Sequence, residues 1–425
     1  MIVTVPGDKS ITQRALILSA LAEGRSRLRG LLPGADPAST AGAMRALGAA
    51  LPELPRDGRE LVVDGCGLNG LRVPAGALDL GNSGTGTRLL MGVLAAQPFR
   101  AVLTGDDSLR SRPMGRVTRP LSDMGARFRF LEADDRLPLE IEGGSLRALD
   151  YDLPVASAQI KSALLLAGLA ARVPVSLSEP GRSRDHTERM LSALGAAVVS
   201  RPEGERWRVE LAAPPERIWP LDLDVPGDLS SAAFLLVLAL LGGARGELTV
   251  RGLGMNPTRT GVLPVLERMG ARLSVEAEPE QGGEPMGAIT AAPTALHATD
   301  IGAADVVLAV DEVPILAAAA ARARGTTRIT GAGELRVKET DRIRALAHNL
   351  RAVGVAVEEL ADGLEVEGSD RPLRGEVDSF DDHRIAMAFG VLGALPGNEI
   401  RVLRPECVSV SFPGFWEMRA RLAGR

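Results

Sequence analysis

Aromatic residues make up only 3% of the chain, with a single tyrosine. So few stacking platforms, with a formal net charge of −5, argue against nucleic acid as the main partner. Two cysteines, Cys66 and Cys407, form neither a disulfide framework nor a metal spacing, and four scattered histidines give no zinc signature. No metal and no cofactor is therefore expected. Long apolar runs are missing too: the strongest, Ala232–Leu241, is too short to span a bilayer. Ala15–Ala22 follows Lys9 and Arg14 as a signal-peptide core would. Yet Asp8 precedes it and Glu23-Gly24-Arg25 closes it like a helix end, so it reads as a core helix. The expected setting is the cytoplasm, with no membrane partner.

Lysine is the sharpest scarcity. Of 49 basic residues only Lys9, Lys161 and Lys338 are lysines. A chain that uses arginine almost everywhere keeps lysine where a compact, deprotonatable amine is needed and a guanidinium will not serve. Lys338 lies in Glu334-Leu-Arg-Val-Lys338-Glu339-Thr-Asp-Arg342, between an expected strand, Thr326–Thr330, and an expected helix, Ile343–Leu350.

What is present is a soluble globular composition, 45% hydrophobic and 24% charged, on a chain too long for one ordinary core. Five segments end an amphipathic helix on glycine before a short strand, at Gly48, Gly125, Gly195, Gly270 and Gly354. Interleaved with these are six strongly apolar helices, Ala15–Leu21, Leu89–Ala96, Ala163–Ala171, Ala232–Leu241, Ile315–Ala321 and Ile385–Leu392. Each opens on a polar cluster, near Lys9, Asn82, Ser157, Asp228, Asp311 and Asp382, at intervals of about 70–80 residues. Helices apolar all round should be buried. Their N-termini offer free N–H groups and partial positive charge to an anion. Simple capping explains Asp228 and Ser230, but it does not call for Lys9, Arg14, Arg88, Gln159, Lys161 or Arg384.

The clusters themselves are specific. Pro6-Gly-Asp-Lys9-Ser10-Ile-Thr-Gln-Arg14 opens the first helix, and Leu80-Gly-Asn-Ser-Gly84-Thr85-Gly-Thr-Arg88 the second. Leu103-Thr-Gly-Asp-Asp-Ser-Leu-Arg110-Ser-Arg112-Pro113 follows the next strand. Ser157-Ala-Gln159-Ile-Lys161-Ser, Ser183-Arg-Asp-His-Thr-Glu188, Asp311-Glu312, Arg336-Val-Lys338-Glu339-Thr-Asp-Arg342 and Asp382-His383-Arg384 complete the set. In order and spacing, over nearly the whole chain, they resemble the 3-phosphoshikimate 1-carboxyvinyltransferase (5-enolpyruvylshikimate-3-phosphate synthase) family.

The resemblance implies transfer of the enolpyruvyl group of phosphoenolpyruvate to the 5-hydroxyl of shikimate 3-phosphate, with release of phosphate. It implies an α/β fold of two similar domains, each of three βαβαββ-type units around buried helices. Residues 1–9 with 227–425 would form one domain and 10–226 the other, with the active site in the cleft between them. Asp311 matches the family's proton acceptor. Glu339 matches the acid at the methylene carbon, and Lys9 the other contender for proton traffic. Lys9, Ser10, Arg14, Ser157, Gln159, Asp311 and Lys338 match shikimate 3-phosphate contacts. Lys9, Gly84, Arg112, Gln159, Arg342 and Arg384 match the phosphoenolpyruvate site, where the herbicide glyphosate competes in this family. Ala158, Glu334 and Val410 depart from one branch. Lys161 and Ser183–Glu188 fit the other, in which Arg184 helps hold the shikimate phosphate. The sister enzymes acting on UDP-N-acetylglucosamine usually carry a reactive cysteine in the loop that is Gly105–Pro113 here, and this loop has none. A non-catalytic anion-binding protein on the same scaffold would have lost Asp311, Glu339 or Lys9. The expected partners are the two small anionic substrates, and the expected state is a monomer.

Overall fold

The computed structural model describes residues 1–55 and 58–424. The six apolar segments form helices Lys9–Leu21, Gly84–Ala95, Ala158–Ala171, Leu229–Leu240, Val313–Ala320 and His383–Ala394. Their apolar residues are buried nearly all round, so these helices are the cores around which the sheets wrap. Four are capped by a side chain that accepts from the first turn: Asp8, Ser83, Asp228 and Asp382.

Among the described residues there are six sheets. The repeating unit is plainest in the second: strand Leu78–Asp79, helix Gly84–Ala95, strand Arg100–Thr104, helix Gly115–Met124, then strands Arg127–Phe130 and Leu139–Glu142. The first strand pairs in parallel with the one after the buried helix (Leu78 with Leu103), and the hairpin adds antiparallel partners. The third unit repeats this from Leu149–Asp152 to Arg206–Ala213. The last is shortened to the parallel pair Arg374–Asp378 and Glu399–Leu403.

Two units borrow their first strand from elsewhere in the chain. Ile2–Val3 pairs in parallel with Leu248–Gly254, and Asp222–Asp224 pairs in parallel with Glu23–Arg29. This exchange divides the chain into two compact units. One comprises Met1–Pro6, Pro226–Pro279 and Pro285–Arg425, and the other Gly7–Val225 with Glu280–Glu284. The changeovers are marked by hydrogen bonds. Pro6 O accepts from Asp228 N in the first unit, whereas Gly7 packs on the Gly30 carbonyl in the second. Val225 N donates to Arg29 O, and Gly227 N to Gly252 O. Each unit has its own continuous hydrophobic core.

The five glycine stops share one geometry. Gly48, Gly125, Gly195, Gly270 and Gly354 all have positive φ, from 88° to 119°. In each, the glycine N–H donates three residues back and the next N–H five residues back, as in Gly354 to Arg351 and Val355 to Leu350. This is the paired closure of a helix on a left-handed residue. Nothing lies within 4 Å of a methyl group added at Gly354, where φ is +90°. Gly354→Ala should therefore cost about 1–2 kcal/mol through backbone strain alone and lower the melting temperature by a few degrees. Gly144 is equally open without a positive φ, so Gly144→Ala should leave the melting temperature unchanged or slightly raised. Scanning calorimetry of the two variants checks the contrast.

Candidate functional site

In the unit built around Gly7–Val225, the polar clusters fall at neighbouring helix starts. Lys9 opens its helix behind the Asp8 cap, and Nζ pairs with Asp36 Oδ2 at 3.1 Å. One turn on, Gln13 Nε2 donates to Ser83 Oγ, which caps the helix beginning at Gly84. Arg14 is buried, and Nη1 donates to the Ser10 carbonyl at 2.9 Å. Burial lowers the Arg14 pKa to about 10, with nearby Glu188, Asp8 and Glu284 opposing the shift.

Gly84 sits between two guanidinium groups. A methyl there would lie 3.0 Å from Arg112 Nη1 and 3.1 Å from Arg88 Nη1. Arg112 Nη2 is held by Asn82 Oδ1 at 2.6 Å and Ser108 Oγ at 3.1 Å. Its Nε is buried without a hydrogen-bond partner among the described residues. Arg88 Nη1 donates to Gln159 Oε1 at 2.7 Å, and Gln159 Nε2 donates to Thr85 Oγ1 at 2.9 Å. Gln159 is thus locked with its amide oriented by both neighbours. Ser157 is the half-buried residue that precedes the helix Ala158–Ala171. The structure therefore gathers Gly84, Arg112 and Gln159 around one helix N-terminus, with Arg88 added.

The other unit carries a second cluster. Arg342, the first residue of helix Arg342–Ala352, is fully buried. Nε donates to Asp382 Oδ2 at 2.7 Å, Nη2 to Glu339 Oε2 at 2.7 Å and Nη1 to Asp311 Oδ1 at 3.3 Å. Burial alone would lower the Arg342 pKa, but Asp382, Glu339 and Asp311 outweigh it and hold it above the ordinary value. Arg384 Nη1 donates to the Asp311 carbonyl at 3.1 Å, and its Nε lies 3.6 Å from Asp311 Oδ1. Asp311, Glu339, Arg342 and Arg384 are thus one network. Lys338 is half-buried in the extended residue after the short helix Gly333–Val337.

Two members of these networks carry no motif. Asp36, the partner of Lys9, lies in the first turn of helix Ala35–Ala46. Arg259 is buried, donates to Asp228 Oδ1 at 2.9 Å and Ser230 Oγ at 2.8 Å, and reaches to 3.9 Å from Asp311 Oδ2. Only the turn signal of Asn256-Pro-Thr marks the Arg259 segment in the sequence. Asp228 does cap its helix, as expected, and Ser230 Oγ donates to Glu312.

The chain matches the family model described as EPSP synthase (3-phosphoshikimate 1-carboxyvinyltransferase) over residues 1–418. It is 48% identical over 415 residues to the 3-phosphoshikimate 1-carboxyvinyltransferase of Desulforamulus reducens, covering 97% of this chain and 94% of the relative. Its identity to that of Gloeobacter violaceus is 49% over 421 residues, covering 99% and 96%. Among solved structures it is similar to the EPSP synthase of Acinetobacter baumannii, with TM-score 0.85, 42% identity and coverage of 99% and 95%. The enolpyruvyl transferase NikO from Streptomyces tendae, 19% identical with TM-score 0.76 over 99% and 94% of the chains, shares the fold.

Neither thiol has the surroundings of a reactive nucleophile. Burial pushes Cys66 up, and pushes Cys407 up to about 11, with Asp382, Asp381 and Glu406 adding to the shift. A raised thiol pKa withholds the thiolate until high pH. Alkylation of Cys407 by iodoacetamide, followed by peptide mass spectrometry, should be slow at pH 7.5 and accelerate steadily toward pH 11. A rate already at its plateau near pH 8 would contradict this assignment.

Proposed function

For a chain that belongs to the EPSP synthase family, we propose a distribution of the reaction's roles among the residues of both units. The reaction is transfer of the enolpyruvyl group of phosphoenolpyruvate to the 5-hydroxyl of shikimate 3-phosphate, with release of phosphate. The alcohol adds across the enol double bond and phosphate is then eliminated. That sequence needs a base at the hydroxyl, an acid at the methylene carbon, and stabilisation of charge at an oxocarbenium-like centre.

The observation that carries the assignment is Gly84 flanked by Arg112 and Arg88 at the start of a buried helix. Two guanidinium groups beside the positive end of a helix suit a phosphate or carboxylate, and the missing side chain lets a small anion approach the backbone. Lys9, Gly84, Arg112, Gln159, Arg342 and Arg384 bind phosphoenolpyruvate. Lys9, Ser10, Arg14, Ser157, Gln159, Asp311 and Lys338 bind shikimate 3-phosphate. Asp311 takes the hydroxyl proton, and its guanidinium neighbours fix its carboxylate in place. Glu339 and Lys9 carry the proton traffic at the methylene carbon. Each starts in an ion pair, Glu339 with Arg342 and Lys9 with Asp36, so substrate must reorganise that pair before a proton moves. The enzyme works as a monomer in the cytoplasm, and among the described residues no helix is long and apolar enough to cross a membrane.

The residue roles predict distinct kinetic signatures. Asp311→Asn should lower kcat by roughly 10²–10⁴-fold, the usual span for a lost general base, while calorimetry still detects shikimate 3-phosphate binding. Lys9→Arg should be comparably damaging, because the larger fork cannot shuttle a proton near neutral pH. Near wild-type turnover of Lys9→Arg would remove Lys9 from the catalytic set.

Gly84→Ala should fold, since the nearest atoms its methyl meets are the ends of two long arginine side chains rather than backbone. The cost falls on the ligand. We expect a modest rise in the KM for phosphoenolpyruvate and a glyphosate inhibition constant weakened roughly 5–150-fold, the equivalent of about 1–3 kcal/mol of overpacking. Unchanged constants with a lowered melting temperature would mean that Gly84 serves the turn and not the ligand.

A further inference from the structure

Lys161, the third of the scarce lysines, has no substrate role in the assignment above. Its side chain is 0% exposed. It lies near the start of helix Ala158–Ala171, and Nζ meets Glu179 Oε1 at 2.8 Å, Glu188 Oε1 at 2.7 Å and the Ser183 carbonyl at 3.4 Å. An ammonium has three donors, and here three acceptors surround it. A planar guanidinium fork does not fit that arrangement. Glu179 Oε1 also accepts from Ser183 N at 3.0 Å, so both ends of the turn Ser183–Glu188 are tied to the one lysine.

The next residue on each side forms a second rung. Thr187 Oγ1 donates to Ser162 Oγ at 2.6 Å. Arg14 rests on this rung, with Nε donating to Thr187 Oγ1 at 2.7 Å and Nη2 to Ser162 Oγ at 2.9 Å. Ser183 Oγ is buried and without a hydrogen-bond partner among the described residues. Glu188 is the strongest charged influence on Arg14. Burial alone would lower the Lys161 pKa, but Glu188 and Glu179 hold it above the ordinary value, so the lysine stays charged.

We propose that Lys161, clamped by Glu179 and Glu188, is a positioning residue for the shikimate 3-phosphate site: it neutralises Glu188 and fixes the rung that aims Arg14. The inference rests on the reading that Ser10 and Arg14 bind that substrate. Without the lysine, Glu188 is an uncompensated buried carboxylate close to Arg14, and it draws the guanidinium away from the phosphate.

Steady-state kinetics of Lys161→Met tests this. The KM for shikimate 3-phosphate should rise about tenfold or more, the scale on which supporting partners usually matter, with the KM for phosphoenolpyruvate within about threefold of wild type. The double variant Lys161→Met/Glu188→Gln should recover most of the lost affinity, because the unpaired carboxylate is gone. A lysine that touched the phosphate directly would show no such recovery. Should Lys161→Met not fold, Thr187→Val, which removes only the hydroxyl under Arg14, should raise the same KM selectively. The proposal is overturned if folded Lys161→Met or Thr187→Val keeps the wild-type KM for shikimate 3-phosphate. It is equally overturned if both KM values shift together, or if the double variant is as impaired as the single. The functional reading fails separately, if the wild-type enzyme shows no saturation by shikimate 3-phosphate or if Arg14→Ala leaves that KM unchanged.

Discussion

Asp382 is the residue on which the buried cluster around Arg342 depends. One of its carboxylate oxygens caps the buried helix His383–Ala394 by accepting from Arg384 N and Ile385 N, and the other accepts from Arg342 Nε. A guanidinium with no exposed surface is costly unless its donors are met. Asp382, Glu339 and Asp311 meet them. The helix start, the buried cation and both candidate proton-transfer carboxylates are thereby tied into a single hydrogen-bonded network. Moving any one of them disturbs the others.

The other unit solves the same problem with different residues. Arg14, Arg88 and Arg112 are held from behind by hydroxyls, amide oxygens and backbone carbonyls, as in Arg112 with Asn82 and Ser108 or Arg14 with Ser162 and Thr187. Acidic residues stand behind the cations as a frame: Asp36 behind Lys9, and Glu188 and Glu179 around Lys161. A protein with a formal net charge of −5 can therefore serve two anionic substrates. Its carboxylates fix Lys9, Lys161 and Arg342, while Arg112 is held by neutral oxygens.

Local signals were legible from the residues alone. Each apolar run announced a buried helix, and the ends lay close to the observed ones, but the first three helices begin five or six residues earlier, in the polar clusters that precede the apolar runs. The five glycine stops foretold five left-handed closures, because only glycine adopts that backbone without strain. Long-range pairing was not legible. Asp36 lies 27 residues from Lys9, and Thr187 lies 173 residues from Arg14, and no periodicity reports on such distances. The borrowed strands Ile2–Val3 and Asp222–Asp224 are too short for a pattern of their own. Lysine scarcity singled out three positions, but not the kinds of their environments. Lys161 proved to be enclosed by carboxylates, which only the folded packing of Glu179 and Glu188 defines.

The most direct test of this account is a continuous assay of phosphate release by the purified protein, run with phosphoenolpyruvate and one candidate acceptor at a time. The account predicts release only when shikimate 3-phosphate is present, one phosphate per enolpyruvyl product formed, saturating in both substrates. Release from phosphoenolpyruvate alone, or with UDP-N-acetylglucosamine in place of shikimate 3-phosphate, would contradict it.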